Sequence, residues 1–157
     1  MQRSPEIQRT SPLMVWVLHG SFVTAIVAYA IVGFVARNAS RPPVMNPATA
    51  FPVLLVLGLT LVGLGLKIPD FLPAGSDNES AREFLVRSQR SLILGDTLIE
   101  ASGVLGVVAF YLHSLEDWQF AVQLVLCALG LVAMIPRVRG WIDEYEERAS
   151  RETIRPA

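Results

Sequence analysis

The sequence predicts an all-α, polytopic membrane protein: four transmembrane helices in a single antiparallel bundle. The chain of 157 residues is 52% hydrophobic and only 17% charged, with a mean hydropathy of +0.47. A soluble domain carries about 45–50% apolar and about 25% charged residues. The charge is also uneven, gathered at the ends and in one loop, so that long stretches are almost free of it. Those stretches show no period-two alternation, which a membrane β-strand would need. This composition excludes intrinsic disorder, a soluble enzyme with an ordinary core, and a basic nucleic-acid binder. The single cysteine, Cys127, excludes an intrachain disulfide and a cysteine-based zinc site.

A helix needs about 20 predominantly apolar residues to cross a hydrocarbon layer about 30 Å thick. Four stretches qualify: about 13–36, 48–66, 91–112 and 119–135. The first carries His19 as its one ionisable side chain, and the second carries none. The third contains Asp96 and Glu100. The fourth has only Gln119 and Gln123 as strongly polar groups. The first run is too long for the apolar region of a cleaved signal, and Val32-Gly33-Phe34 offers no small-x-small cleavage site.

Arg and Lys set the orientation. The N-terminus, the second loop and the C-terminus together hold Arg3, Arg9, Lys67, Arg82, Arg87, Arg90, Arg137, Arg139, Arg148, Arg151 and Arg155. The opposite side holds Arg37 and Arg41 alone. This bias predicts both termini in the cytoplasm of a multi-pass protein of the cell (inner) membrane. Trp16, Trp118 and Trp141 lie near the expected interfaces, and Lys67 is placed to snorkel to the headgroups.

The polar segment 69–90 is expected in the cytoplasm. Asp70 to Gly75 reads as a turn and loop. Ser80-Ala81-Arg82-Glu83 matches a capping box, so the third helix should begin near Ala81, well before the bilayer. Glu83 and Arg87 are spaced as an (i, i+4) pair. Pro136 should end or kink the fourth helix. The tail beyond it, 136–157, reads either as a short interfacial or docking helix around Trp141, Ile142 and Tyr145, or as a frayed terminus.

The most informative residues are Asp96 and Glu100. Four apart on a helix, they share a face one turn from each other, with Glu100 near mid-span and Asp96 about 6 Å nearer the cytoplasm. An ionised Asp at the centre of a bilayer costs about 2.5–3.5 kcal/mol on insertion scales. The pair must therefore face protein or water, with at least one member protonated, paired or hydrated. Three readings stand side by side: a reversible proton or cation site, a site for a partner's basic group or a metal, or interhelical glue. His19 lies at similar depth, so a His19–Asp96 contact is geometrically allowed. The simpler expectation is a neutral His19 bonding a backbone carbonyl, since one His defines no metal site. Gly58, Gly63 and Gly65 on the second span, with Gly103 and Gly106 on the third, are candidate close-packing positions. Gly103 shares a face with Glu100 and places the acid beside a groove.

The run Glu100-Ala101-Ser102-Gly103-Val104-Leu105-Gly106-Val107-Val108-Ala109-Phe110 resembles the ion-carrying helix of the rotor-ring proteolipid, the c subunit of F-type and V-type ATPases. Glu100 matches that family's mid-membrane acid, Gly106 to Ala109 its following run, and Gly103 echoes the V-type pattern. The resemblance implies that Glu100 carries a proton or cation. Only Gly63-Leu64-Gly65 remains of the family's glycine-dense partner helix, and Asp96 is an extra acid. The chain is therefore similar to four-span bacterial membrane proteins bearing such a helix rather than to a rotor-ring subunit itself.

No nucleophile–base set, phosphate loop or redox motif is present, so the expectation is a non-enzymatic protein without cofactor. Its expected partners are the lipid bilayer and either further copies of itself or other membrane subunits, with no nucleic acid. The expected role is a small integral subunit or oligomer with a protonatable intramembrane carboxylate. The alternative is an accessory or assembly subunit that transports nothing.

Overall fold

The computed structural model describes residues 12–36, 42–71 and 79–154. Arg3, Arg9, Arg37, Arg41 and Arg155, which enter the orientation argument, lie outside the described residues, as does the Leu72–Gly75 part of the expected turn. Four helices form: α1 (Pro12–Ala36), α2 (Pro47–Phe71), α3 (Ala81–Tyr111) and α4 (Asp117–Ile154). All four are long and apolar enough to cross a membrane. The protein is a four-helix membrane bundle, and strands are absent among the described residues.

α3 is the central helix. It packs against the other three, α4 does the same, and α1 and α2 do not touch. The α3–α4 pair runs antiparallel in one continuous register. Phe110 stacks on Phe120 with ring centroids 4.3 Å apart, Gly106 faces Gln123, Gly103 faces Cys127, and Gly95 faces Met134. α1 approaches one side of this pair through Gly33, which meets Phe120 and Phe110. α2 approaches the other through Gly58, which meets Gln123, and Gly65, which meets Gly95. The arrangement is a rhombus, with α3 and α4 packed on each other across its short diagonal.

The α2–α3 crossing is the tightest. A Cβ at Gly65 would lie 2.6 Å from the Gly95 carbonyl oxygen, and one at Gly95 would lie 2.8 Å from that of Gly65. Two glycines let the backbones meet where any side chain would hold them apart. Pro69 has no N–H to return to the Gly65 carbonyl, which leaves that oxygen free to face α3.

Two sequence expectations change here. α2 runs through Asp70 and Phe71 rather than turning at Asp70. Arg137 holds that end, with Nη2 2.9 Å from Asp70 Oδ1 and Nη1 donating to the Leu66 carbonyl. Likewise α4 neither stops at Pro136 nor frays beyond it, but continues to Ile154. Past the proline, Val138, Trp141, Ile142 and Tyr145 continue the apolar face that packs on Leu85 and Leu92 of α3. Continued packing outweighs one lost backbone bond.

Beyond Arg90 and Arg137, α3 and α4 therefore project as a two-helix stalk, roughly 15 Å and roughly 27 Å long by helical rise. The expected capping box forms at the stalk's tip: Glu83 N–H donates to Ser80 Oγ (3.3 Å) and Ser80 N–H to Glu83 Oε2 (3.0 Å). Those bonds to Ser80 hold the Glu83 carboxyl below the usual carboxylate range. α4 adds a second cap, as Ala81 N–H donates to Glu152 Oε1 at 2.7 Å. Glu83 does not pair with Arg87 as its spacing suggests. Arg87 instead meets Glu79 at 2.7 Å and lies over Phe84, which Arg148 covers from α4.

At the other end the turn from α3 to α4 places His113 in the left-handed region, φ 55°. Ser114 N–H then closes on the Ala109 carbonyl at 2.9 Å, which completes the helix end. Val44 N–H donates to the Leu112 carbonyl at 3.1 Å and fastens the segment before α2 to this turn.

Candidate functional site

Both intramembrane acids of α3 turn toward α1. Asp96 is fully buried and His19 is 2% exposed; His19 Nδ1 lies 2.7 Å from Asp96 Oδ2. This replaces the expected bond from His19 to a backbone carbonyl. α1 and α3 run parallel, which sets the imidazole opposite the acid at matching depth. In hydrocarbon a carboxyl partner outweighs a carbonyl already bonded within its helix. The remaining atoms of the pair, His19 Nε2 and Asp96 Oδ1, are buried without a protein partner among the described residues.

One turn further along α3, Glu100 accepts a hydrogen bond from the Tyr29 hydroxyl of α1. Tyr29 is a residue of the candidate site that the sequence reading missed. Its ring lies against Gly103, 3.5 Å from where a Cβ would stand. This ring occupies the place beside Gly103 where a groove is expected from the sequence. The ring sits over residue 103 and its hydroxyl reaches back to residue 100, following the tilt of helical side chains toward the N-terminus. In sequence the Tyr29 ring, ten residues after His19, reads as ordinary aromatic packing. Glu100 is half-buried, at the edge of the seam, whereas Asp96 is enclosed.

α4 closes the back of the seam. Cys127 is fully buried, its Sγ donates to the Ile99 carbonyl at 3.4 Å, and it lies 3.2 Å from a Cβ at Gly103. Gln123 bridges three helices: its Nε2 donates to Ser102 O on α3 at 3.2 Å and to Leu54 O on α2 at 3.5 Å.

The predicted glycines divide. Gly58, Gly65, Gly103 and Gly106 each sit at a close interhelical approach. Gly63 does not: it is exposed, with nothing within 4 Å of a Cβ, so it packs no helices within this chain. Among the described residues, no three His, Cys, Asp or Glu side chains converge as metal ligands.

The seam thus joins two titratable pairs, His19–Asp96 and Tyr29–Glu100, along one interface between the central helix and a peripheral one. Each pair sets a carboxyl within hydrogen-bonding reach of an ionisable side chain of α1. Comparison with protein-family models, curated proteins and solved structures finds no match for the chain.

Proposed function

We propose that this small membrane protein is a non-enzymatic subunit, acting as an oligomer or within a larger membrane complex, that binds protons inside the bilayer at the α1–α3 seam. Its termini and stalk are assigned to the cytoplasmic side of the inner membrane. Glu100 is the exchanging carboxyl, and Asp96 with His19 holds a second proton deeper in the seam. One observation carries this reading: two carboxyls on one face of the central helix each meet a titratable side chain of the same peripheral helix. Neutral hydroxyls or amides would suffice as glue, whereas carboxyls set beside further ionisable side chains are groups that can change charge. A translocated proton would follow this seam or an interface at its Glu100 edge.

The test is reaction with dicyclohexylcarbodiimide, which modifies a protonated carboxyl in an apolar setting. Modification at Glu100 should fall as pH rises, and Glu100→Gln should abolish proton flux into proteoliposomes without disturbing assembly. Absence of modification at every pH, or unchanged flux in the variant, overturns the proposal.

The stalk favours a second reading, that of an accessory subunit whose α3–α4 projection docks on a partner outside the bilayer. On that reading Glu100→Gln disrupts co-purification of partner subunits, and there is no flux to lose.

A further inference from the structure

We propose that α1 is a latch, docked on α3 while the seam is electrically neutral and released when the seam becomes charged. The inference rests on the seam being protonatable, as proposed above, and adds what protonation controls.

α1 is the least enclosed helix. Val17, Val23, Val27, Ile31, Val32 and Val35 all face outward, and α1 does not touch α2. In a bilayer the exposed apolar surface of a separated helix is solvated by lipid, so burying it supplies little association energy. Packing and polar contacts must do so instead. α1 packs through Val15, Leu18, Phe22, Ile26, Tyr29 and Ala30 and around Gly33, apolar contacts that a change of protonation leaves as they are. Its two side-chain hydrogen bonds to other helices among the described residues are those to Asp96 and Glu100.

The charge balance follows from these partners. The titratable groups facing the seam are His19 and Tyr29 from α1, Asp96 and Glu100 from α3, and Cys127 from α4, while α2 does not reach α1. With one proton on the His19–Asp96 pair and one on Glu100, the seam is neutral. Losing both leaves two negative charges one helical turn apart in hydrocarbon, with no Lys or Arg in any of the four spans to offset them. Their hydration then requires water where α1 lies. The neutral seam keeps α1 closed, and the charged seam opens it.

The native cysteine reports this opening. Cys127 lies on the α1 side of α4, behind the Tyr29 ring at Gly103, so release of α1 uncovers it. The measurement is the rate of N-ethylmaleimide labelling of Cys127 in bilayers. It is taken as the ratio of the unaltered protein to an Asp96→Asn, Glu100→Gln variant, whose seam stays neutral. The ratio cancels the ordinary rise of thiolate with pH. It should increase at least about tenfold between about pH 6 and about pH 9.

A second measurement does not depend on that variant. Spin labels at Val32→Cys and Leu129→Cys, in a Cys127→Ala background, should give one narrow distance at the lower pH and a broad, longer one at the higher. A flat labelling ratio, or one narrow distance at both pH values, overturns the latch. If carbodiimide still modifies Glu100 in a pH-dependent manner under those conditions, the proton site stands and only the latch falls. If Glu100 is never modified, the proton site itself has failed.

Discussion

Asp96 and Glu100 share a helical face, yet their environments differ by one turn of helix. Asp96 is sealed against an imidazole, whereas Glu100 sits at the edge of the bundle under a tyrosine hydroxyl. Interhelical hydrogen bonds in membranes contribute about 0.6 kcal/mol on average and about 1.7 kcal/mol at most. A double-mutant cycle of His19→Ala and Asp96→Ala should therefore return a coupling of about 0.5–2 kcal/mol in thermal or detergent unfolding. A value near zero would mean that the two side chains are neighbours without being partners. Tyr29→Phe keeps the ring on Gly103 and removes only the donor. It should cost about 0.5–1.5 kcal/mol, while substitution by Ala also empties the groove and costs more. The acids were legible in the sequence because charge inside an apolar run is conspicuous. Tyr29 was not, because an aromatic in a membrane helix looks like ordinary packing until its hydroxyl is seen to have a partner.

The contrast between Gly65 and Gly63 belongs to the helices. Gly65→Val forces a side chain against the Gly95 carbonyl, which belongs to backbone and cannot swing aside. It should cost at least about 1–3 kcal/mol. Gly63→Val two residues away should change stability by less than about 0.5 kcal/mol. Equal effects would show that α2 packs on a different face. The stalk supplies a second test, since Glu152 of α4 caps the first turn of α3. Glu152→Ala should speed hydrogen exchange at the Ala81–Leu85 amides while leaving exchange near Ile99 unchanged, at a cost of about 0.5–2 kcal/mol. The start of α3 was readable from Ser80 and Glu83, because a capping box is local. The length of α4 was not. Whether a helix survives Pro136 depends on what its next turns pack against, and Leu85 and Leu92 lie more than forty residues away in sequence.

Across the molecule, the number of spans and the all-α class could be read from composition and run length, because hydrocarbon admits few alternatives. The rhombic packing could not, since nothing in a run of Val and Leu states which neighbour it meets. The excess of Arg and Lys beside the stalk is the basis for proposing that this end is cytoplasmic. In intact spheroplasts an impermeant maleimide should label Asn46→Cys and leave Ser150→Cys unlabelled until the membrane is opened; the reverse pattern would invert the protein. The central claim is that the α1–α3 seam holds exchangeable protons. It is tested most directly by carbon-13 NMR of the Asp96 and Glu100 carboxyl carbons in lipid bilayers across a pH series. The account predicts that both resonances move across the series, and that His19→Ala alters the Asp96 curve while leaving that of Glu100 in place. Carboxyl resonances that stay fixed across the whole series would contradict it.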